Sequence, residues 1–342
     1  MSKRIFIIVG AVIIALIFLV LILLVIVDNQ NPSRKVDFSM ASNSTNSSIV
    51  PTTTEVTITS TPKVTGDEDK RQKIEGEISY AQTEDGGVIP VPPTFFYAGG
   101  ASQYGAVIAD ENGNEFVWVP VEDFNSYARQ LFANNGQEEE SNNNQEEETL
   151  ESLKLRDINA YDSSFDDSVK NYKGFYIARF EAGKEAISGK NYAISKSNVV
   201  PWTQITWTAA REASQNMYVK NNYFTTDLVS SYAWDTTCNW LRSTRINIDN
   251  SVDYGNYQNS TNGLNRVTET ASNNRWQVNN IYDMAGNAWE YTTEESGNHD
   301  RYHVGRGGGY LNEGDKYPIS ARAISEDTPN LAVSFRVVLY LK

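Results

Sequence analysis

The sequence predicts an α+β domain with much irregular loop, standing behind one apolar membrane segment and a polar stalk. Three observations predict it. Val107-Ile-Ala109 and Glu115-Phe-Val-Trp-Val-Pro-Val121 flank Asp110-Glu-Asn-Gly-Asn114, which reads as strand, turn, strand with Asn112-Gly113 at the positive-φ position. Two later stretches place large residues at helical spacing. Residues 246–275 are polar, rich in Asn, Gly and Tyr, and without periodicity, which predicts a long irregular loop.

Taken in order, Ile5 to Val27 is an uncharged apolar run long enough to cross a hydrocarbon core of ~30 Å. Lys3 and Arg4 precede it, so the N-terminus is expected in the cytoplasm and the rest outside, at a cell membrane of bacterial type. Ile26-Val-Asp-Asn29 offers no small-x-small cleavage site, which favours an uncleaved signal anchor held by membrane lipid. Residues 29–85 are rich in Ser, Thr and Asn, cannot bury enough surface to order themselves, and are expected to be a flexible stalk.

Globular character is expected over residues 86–342. Val88-Ile-Pro-Val-Pro-Pro-Thr-Phe-Phe-Tyr97 reads as extended chain, because prolines restrict their predecessors. Residues 134–151 carry two Glu triplets and are expected to be a solvated acidic insertion. Gly174-Phe-Tyr-Ile-Ala-Arg-Phe-Glu181 reads as a strand. A helix follows from Thr206, its cap, to Tyr218, with Trp207, Ala210, Ser214 and Met217 on one face. A second helix is expected over Leu228 to Leu241, stacking Trp234, Cys238 and Leu241. Gly307-Gly-Gly309 is expected to precede a strand and to permit close backbone packing.

Composition narrows function. A net charge of −14 argues against nucleic acid, whose phosphates need clustered Lys and Arg. A lone cysteine, Cys238, allows no intrachain disulfide, and its helical spacing with Trp234 and Leu241 makes it a core residue. The only histidines, His299 and His303, lack the neighbouring Glu of a helical zinc-protease pair. No nucleophile elbow and no phosphate-cradling glycine loop appears.

The last sixty or so residues hold the strongest signal. Asn280-Ile-Tyr-Asp-Met-Ala-Gly-Asn-Ala-Trp-Glu-Tyr291 reads as a tight turn at Gly286 that feeds an aromatic anchor inward and gathers carboxylates and carbonyls. Gly305-Arg-Gly-Gly-Gly-Tyr310, Ala321-Arg-Ala323 and Ser334-Phe-Arg-Val337 follow in order. With Phe116-Val-Trp-Val-Pro120 and Ile205-Thr-Trp207, the series resembles the sulfatase-modifying-factor (formylglycine-generating enzyme) domain, a variant of the C-type-lectin-like fold. The resemblance covers roughly Pro90 to Lys342.

The resemblance implies a calcium site made by the Asp283 carboxylate, the Gly286 and Ala288 carbonyls and the Glu290 carboxylate, a donor set of hard oxygens that suits this ion. The alternative for the same residues is a turn held by Asp283 and Asn287 hydrogen bonds, with Glu290 paired to an arginine. The family's formylglycine-generating members hold copper with two cysteines just after the Arg-Gly-Gly segment. Here Tyr310-Leu-Asn-Glu-Gly-Asp-Lys-Tyr-Pro-Ile-Ser320 contains none, so copper is not expected. Tyr302, Tyr310, Asn312, Glu313 and Asp315 would then line any cleft, and Tyr254 and Tyr257 are expected to be exposed beside it. These features predict a membrane-anchored, extracellular, non-catalytic binding or display module that recognises a glycan or protein surface. The competing reading is an oxidoreductase of the same family with an atypical metal site. A hypervariable display protein is a third class, weakened because residues 312–330 are only mildly Asn-rich.

Overall fold

The C-terminal strand organises the domain. The computed structural model describes residues 76–123, 132, 162–218, 221–295 and 302–342. Within them β3 (Phe95–Gly99), β4 (Val107–Asp110), β5 (Glu115–Pro120), β6 (Gly174–Ala178), β16 (Val337–Leu341) and β9 (Phe224–Leu228) form a six-stranded antiparallel sheet in that order. All of β16 is buried, because both faces of the sheet are covered. Val337, Leu339 and Leu341 enter one apolar cluster with Phe116, Trp118 and Tyr176. Val338 and Tyr340 enter the other with Val119, Phe175 and Trp234. This is the period-2 alternation of a strand, with two cores in place of a core and solvent.

The hairpin of β4 and β5 forms as expected. Gly113 takes φ 81°, and Asp110 closes the turn by accepting from the Asn114 backbone N–H (2.8 Å) and side-chain amide (2.9 Å). Helix α1 (Ser163–Tyr172) is capped by Asp162, whose carboxylate accepts from the Ser164 and Phe165 amides. Helix α2 (Trp207–Gln215) is capped by Thr206 and buries Trp207, Ala210 and Ser214 on one side, as the spacing predicts. Helix α3 (Ser231–Ser243) begins later than expected: Ser230 caps it, and Leu228 ends β9 instead. Its buried face carries Trp234, Cys238 and Leu241, and also Asp235.

Chain pairing starts before residue 86. β1 (Ser79–Gln82), inside the expected stalk, pairs with β2 (Val88–Val91). β7 (Gly183–Ile187) and β8 (Lys190–Ile194) form a separate hairpin, and β10 (Gln277–Val278) pairs with β11 (Ile281–Tyr282). A four-stranded sheet runs β14 (Arg322–Glu326), β13 (Tyr302–Arg306), β12 (Trp289–Glu295), β15 (Val333–Phe335), with β12 and β15 parallel. Residues 246–275 contain neither helix nor strand, as expected. Gly307-Gly-Gly309 follows β13 and leads into a turn, not a strand. Close packing is nevertheless its reason, since a Cβ on Gly308 (φ 73°) would stand 2.3 Å from the Tyr317 carbonyl oxygen. Among the described residues no helix is long and apolar enough to cross a membrane. The apolar run at 5–27 and the acidic run at 134–151 lie outside the described residues.

An ionic layer joins α3 to the small sheet. Asp235 accepts from Arg306 (2.8 Å) and from Arg322 (2.8 Å), and Arg322 also meets Glu294 (3.0 Å), all four side chains being buried. Arg322 donates as well to the Phe132 carbonyl. Removing Asp235 would leave the buried Arg306 without its carboxylate partner and Arg322 with Glu294 alone to balance it. Asp235→Ala is therefore expected to lower unfolding free energy by about 3–5 kcal/mol in urea titrations. A loss below ~1 kcal/mol would show that the layer is not held by this carboxylate.

Candidate functional site

The signature turn links β11 to β12, and its backbone explains its residues. Asp283 (φ 55°), Gly286 (φ 71°) and Asn287 (φ 58°) all adopt left-handed conformations, which Gly, Asn and Asp tolerate best. A Cβ on Gly286 would also lie 2.6 Å from the Asn256 carbonyl oxygen. The close approach is used: Asn287 N–H donates to Asn256 O (3.0 Å) and Gly286 N–H to Gly307 O (2.9 Å). Loops that carry no regular structure are thereby tied to the turn.

Asn287 is the hub of the turn. Its side-chain oxygen accepts from the Thr268 N–H (2.9 Å) and the Asn256 amide (3.1 Å). Its own amide donates to Glu181 Oε2 (2.5 Å), while the next residue, Ala288, donates its N–H to Glu181 Oε1 (3.0 Å). Glu181, fully buried at the end of the segment after β6, has no distinguishing sequence signal and was not anticipated as part of the site.

Of the four groups implied to bind calcium, the two carboxylates have separate surroundings. Glu290 lies on β12 and is held by Arg336 through two bonds, Nε to Oε2 (2.8 Å) and Nη2 to Oε1 (2.5 Å). Asp283 accepts from the Ala271 N–H through Oδ2 (2.9 Å), while Oδ1 is buried with no hydrogen-bond partner among the described residues. Glu181 and Asp283 act on the Arg336 guanidinium through their charge, while Glu290 alone bonds it. Burial first, then the charges of Asp283 and Glu290, push the Glu181 carboxyl well above its ordinary range. Burial also lifts Asp283 to about 7, against the Ala271 N–H and Arg336, which favour its charged form. Among the described residues no cluster of three or more His, Cys, Asp or Glu stands ready for a metal.

The expected cleft residues are placed as follows. Tyr310 is half-buried, and its N–H donates to Asn287 O (3.0 Å), so the segment 310–315 adjoins the turn. Asn312 Oδ1 accepts from Trp289 Nε1 (2.9 Å) and Gly309 N (3.0 Å). Glu313 pairs with Lys316 (2.6 Å), and exposed Asp315 accepts from Asn259 (2.8 Å). Tyr302 is in β13, and its side chain lies outside the described residues. Tyr254 is half-buried. Tyr257 is a correction: it is fully buried, and its hydroxyl donates to Gly307 O (2.7 Å), because the coil-rich loops need an interior aromatic of their own. Cys238 is buried in α3, and burial pushes its thiol up to about 12.

The carboxyl cluster sets a pH dependence. A carboxyl raised in the fold binds its proton more tightly there than in the unfolded chain. Its stabilisation is present below the unfolded value and is lost as pH rises through the folded one. The urea midpoint is expected to fall as pH rises from about 4 to about 7, and to fall less in Asp283→Asn. An equal fall in both proteins would assign the effect elsewhere.

The profile of the sulfatase-modifying factor enzyme 1-like domain matches residues 106–341. Among solved structures, that of CarF is 13% identical, covering 50% of this chain and 87% of its own, with a TM-score of 0.36. PvdO from Pseudomonas aeruginosa is 15% identical over 50% of this chain and 82% of its own, with a TM-score of 0.38. Treponema denticola variable protein 1 is 13% identical over 76% and 92%, with a TM-score of 0.27. No curated protein matches. The assignment therefore rests on the profile, which spans well over half of the chain: the protein belongs to the sulfatase-modifying factor enzyme 1-like domain family.

Proposed function

We propose that this protein is a membrane-anchored, extracellular binding module of its family, without the family's copper chemistry, which recognises a glycan or protein surface beside the signature turn. The observation that carries this reading is the chemistry of segment 310–320 against that of the one thiol. The segment offers Tyr310, Asn312, Glu313 and Asp315, which are an aromatic face, an amide and hard oxygens. Such groups suit sugars and peptides and are poor ligands for soft copper(I). The single thiol is shut inside α3 and stays protonated at neutral pH. Lys3, Arg4 and the apolar run at 5–27 support the anchor and its orientation.

Calcium at the turn belongs to the same reading. The Asp283 carboxylate, the Gly286 and Ala288 carbonyls and the Glu290 carboxylate would hold it. Glu290 would share its oxygens with Arg336. The unpartnered Asp283 oxygen and the excess of carboxylates over guanidinium groups favour a cation there. Its role would be to fix the turn. The two-pronged Glu290–Arg336 contact favours a second reading, in which the turn stands on hydrogen bonds and this ion pair alone.

Two measurements on the full chain in detergent test the proposal. Saccharide and protein arrays are expected to register binding that falls about tenfold in Tyr310→Ala and in Asp315→Asn, on the scale of a contact-centre residue. Oxidation of a thiol peptide in the presence of copper(I) would instead support the oxidoreductase reading. Melting with calcium and with chelator separates the two readings of the turn. An upward shift with calcium that is absent in Asp283→Asn supports the bound ion, and identical curves support the metal-free turn.

A further inference from the structure

His303 is the unusual group outside the signature turn. It lies on β13 with 3% of its surface exposed, and neither ring nitrogen has a hydrogen-bond partner among the described residues. Its ring lies flat on the indole of Trp207, with centroids 3.9 Å apart and planes 1° from parallel. The same indole is approached by the Arg211 guanidinium, whose carbon stands 5.4 Å from the ring centroid.

Trp207 is the first residue of α2, and one carboxylate holds that end of the helix. Asp327 Oδ1 accepts from the Trp207 N–H (2.6 Å), and Oδ2 accepts from the Thr208 hydroxyl (3.1 Å). The indole N–H donates to Thr292 O (2.7 Å), so the ring is pinned to β12 at the same time. Among the described residues the charged groups around His303 are few. Arg211 projects from α2 and pairs with Asp227 of β9 (3.4 Å). Asp327 follows β14. Exposed Glu295 stands opposite His303 across the β12–β13 pair, and the neutral Ser325 opposite it on β14.

A neutral imidazole fits this slot as an aromatic plate. A proton changes the balance, because it creates a buried cation with no acceptor among the described residues, on an indole already approached by a guanidinium. Relief has to come from a carboxylate, and Asp327 is committed to the first turn of α2. We propose that His303 is a proton-operated latch: taking up a proton draws Asp327 away from the α2 N-terminus and loosens that helix from the small sheet. Mildly acidic surroundings would thereby alter the face formed by α2 and β13–β14 while leaving the signature turn in place. No metal or ligand is involved, and the inference stands apart from the proposed binding role.

The test uses the full chain in detergent, with two readouts. The first is the NMR titration of the His303 ring proton, assigned by its loss in His303→Phe. Burial holds the midpoint below the ordinary histidine value, with Asp327 opposing and Arg211 reinforcing. Arg211→Gln is therefore expected to raise the midpoint and Asp327→Asn to lower it. The second is amide exchange at Trp207 and Ala209, corrected for intrinsic rate. Acidification through the midpoint is expected to speed it by about fivefold or more, the scale of a lost helix cap, and to leave His303→Phe unchanged. A midpoint that moves in neither charge variant would overturn the latch. So would equal acid acceleration in His303→Phe. Should His303→Phe fail to fold, His299→Gln leaves the His303 resonance as the one remaining, and the two charge variants decide the question.

Discussion

Arg336 is the constraint on which the rest of the structure depends. It is the single residue between β15, which belongs to the small sheet, and β16, which lies between β6 and β9 in the large one. Its guanidinium is fully buried and reaches both sheets. It grips Glu290 on β12 with two bonds and donates to Ala178 O on β6 (3.0 Å) and Tyr282 O on β11 (2.9 Å). A planar fork with five donors can satisfy such a set, and a lysine cannot. The terminal Ser-Phe-Arg-Val signature is thus a crossing point between sheets, and the burial around it obliges Glu290 to stay paired.

The signature turn inherits its rigidity from this crossing. Glu290 fixes the start of β12, Asn287 and Glu181 fix the residues before it, and the loops of 246–275 close over them through Asn256 and Thr268. Those loops lack regular structure, so their order derives from side chains that bind backbone, a role suited to Asn. The Tyr310–Asp315 surface stands on this frame, since the Tyr310 N–H is bound to Asn287. A loop surface on such a support can vary in sequence while its position stays fixed.

The small sheet separates two kinds of chemistry on its faces. Arg306 and Arg322 meet Asp235 and Glu294 on one side, toward α3. Trp207 and His303 stack on the other, toward α2. The sequence foretold much of this frame. The Asn112-Gly113 turn signal between β-branched and aromatic residues located the hairpin of β4 and β5, and helical spacing located α2 and the burial of Cys238. The pairing of the three arginines with interior acids was also foreseeable from their signatures. Glu290 was expected to pair with an arginine and does so with Arg336, but the identities of the other acids were not legible. Asp235 stood beside Trp234 on a face read only for its apolar residues, and Glu181 ended an ordinary-looking strand. Tyr257 was misplaced because a polar, aperiodic loop gives no sign of which aromatic turns inward. Such contacts join residues about 70 to 110 positions apart in the chain, beyond the reach of local pattern.

The most direct measurement of the crossing is a double-mutant cycle in urea, in the presence of chelator, with Arg336→Met, Glu290→Leu and the pair together. Each single change leaves a buried charge without its partner and is predicted to lose about 3–5 kcal/mol. The double variant is predicted to lose less than the sum of the two, by about 2 kcal/mol or more. Strictly additive losses would contradict the account, because they would mean that Arg336 and Glu290 stabilise the fold independently and that the two sheets are joined by something else.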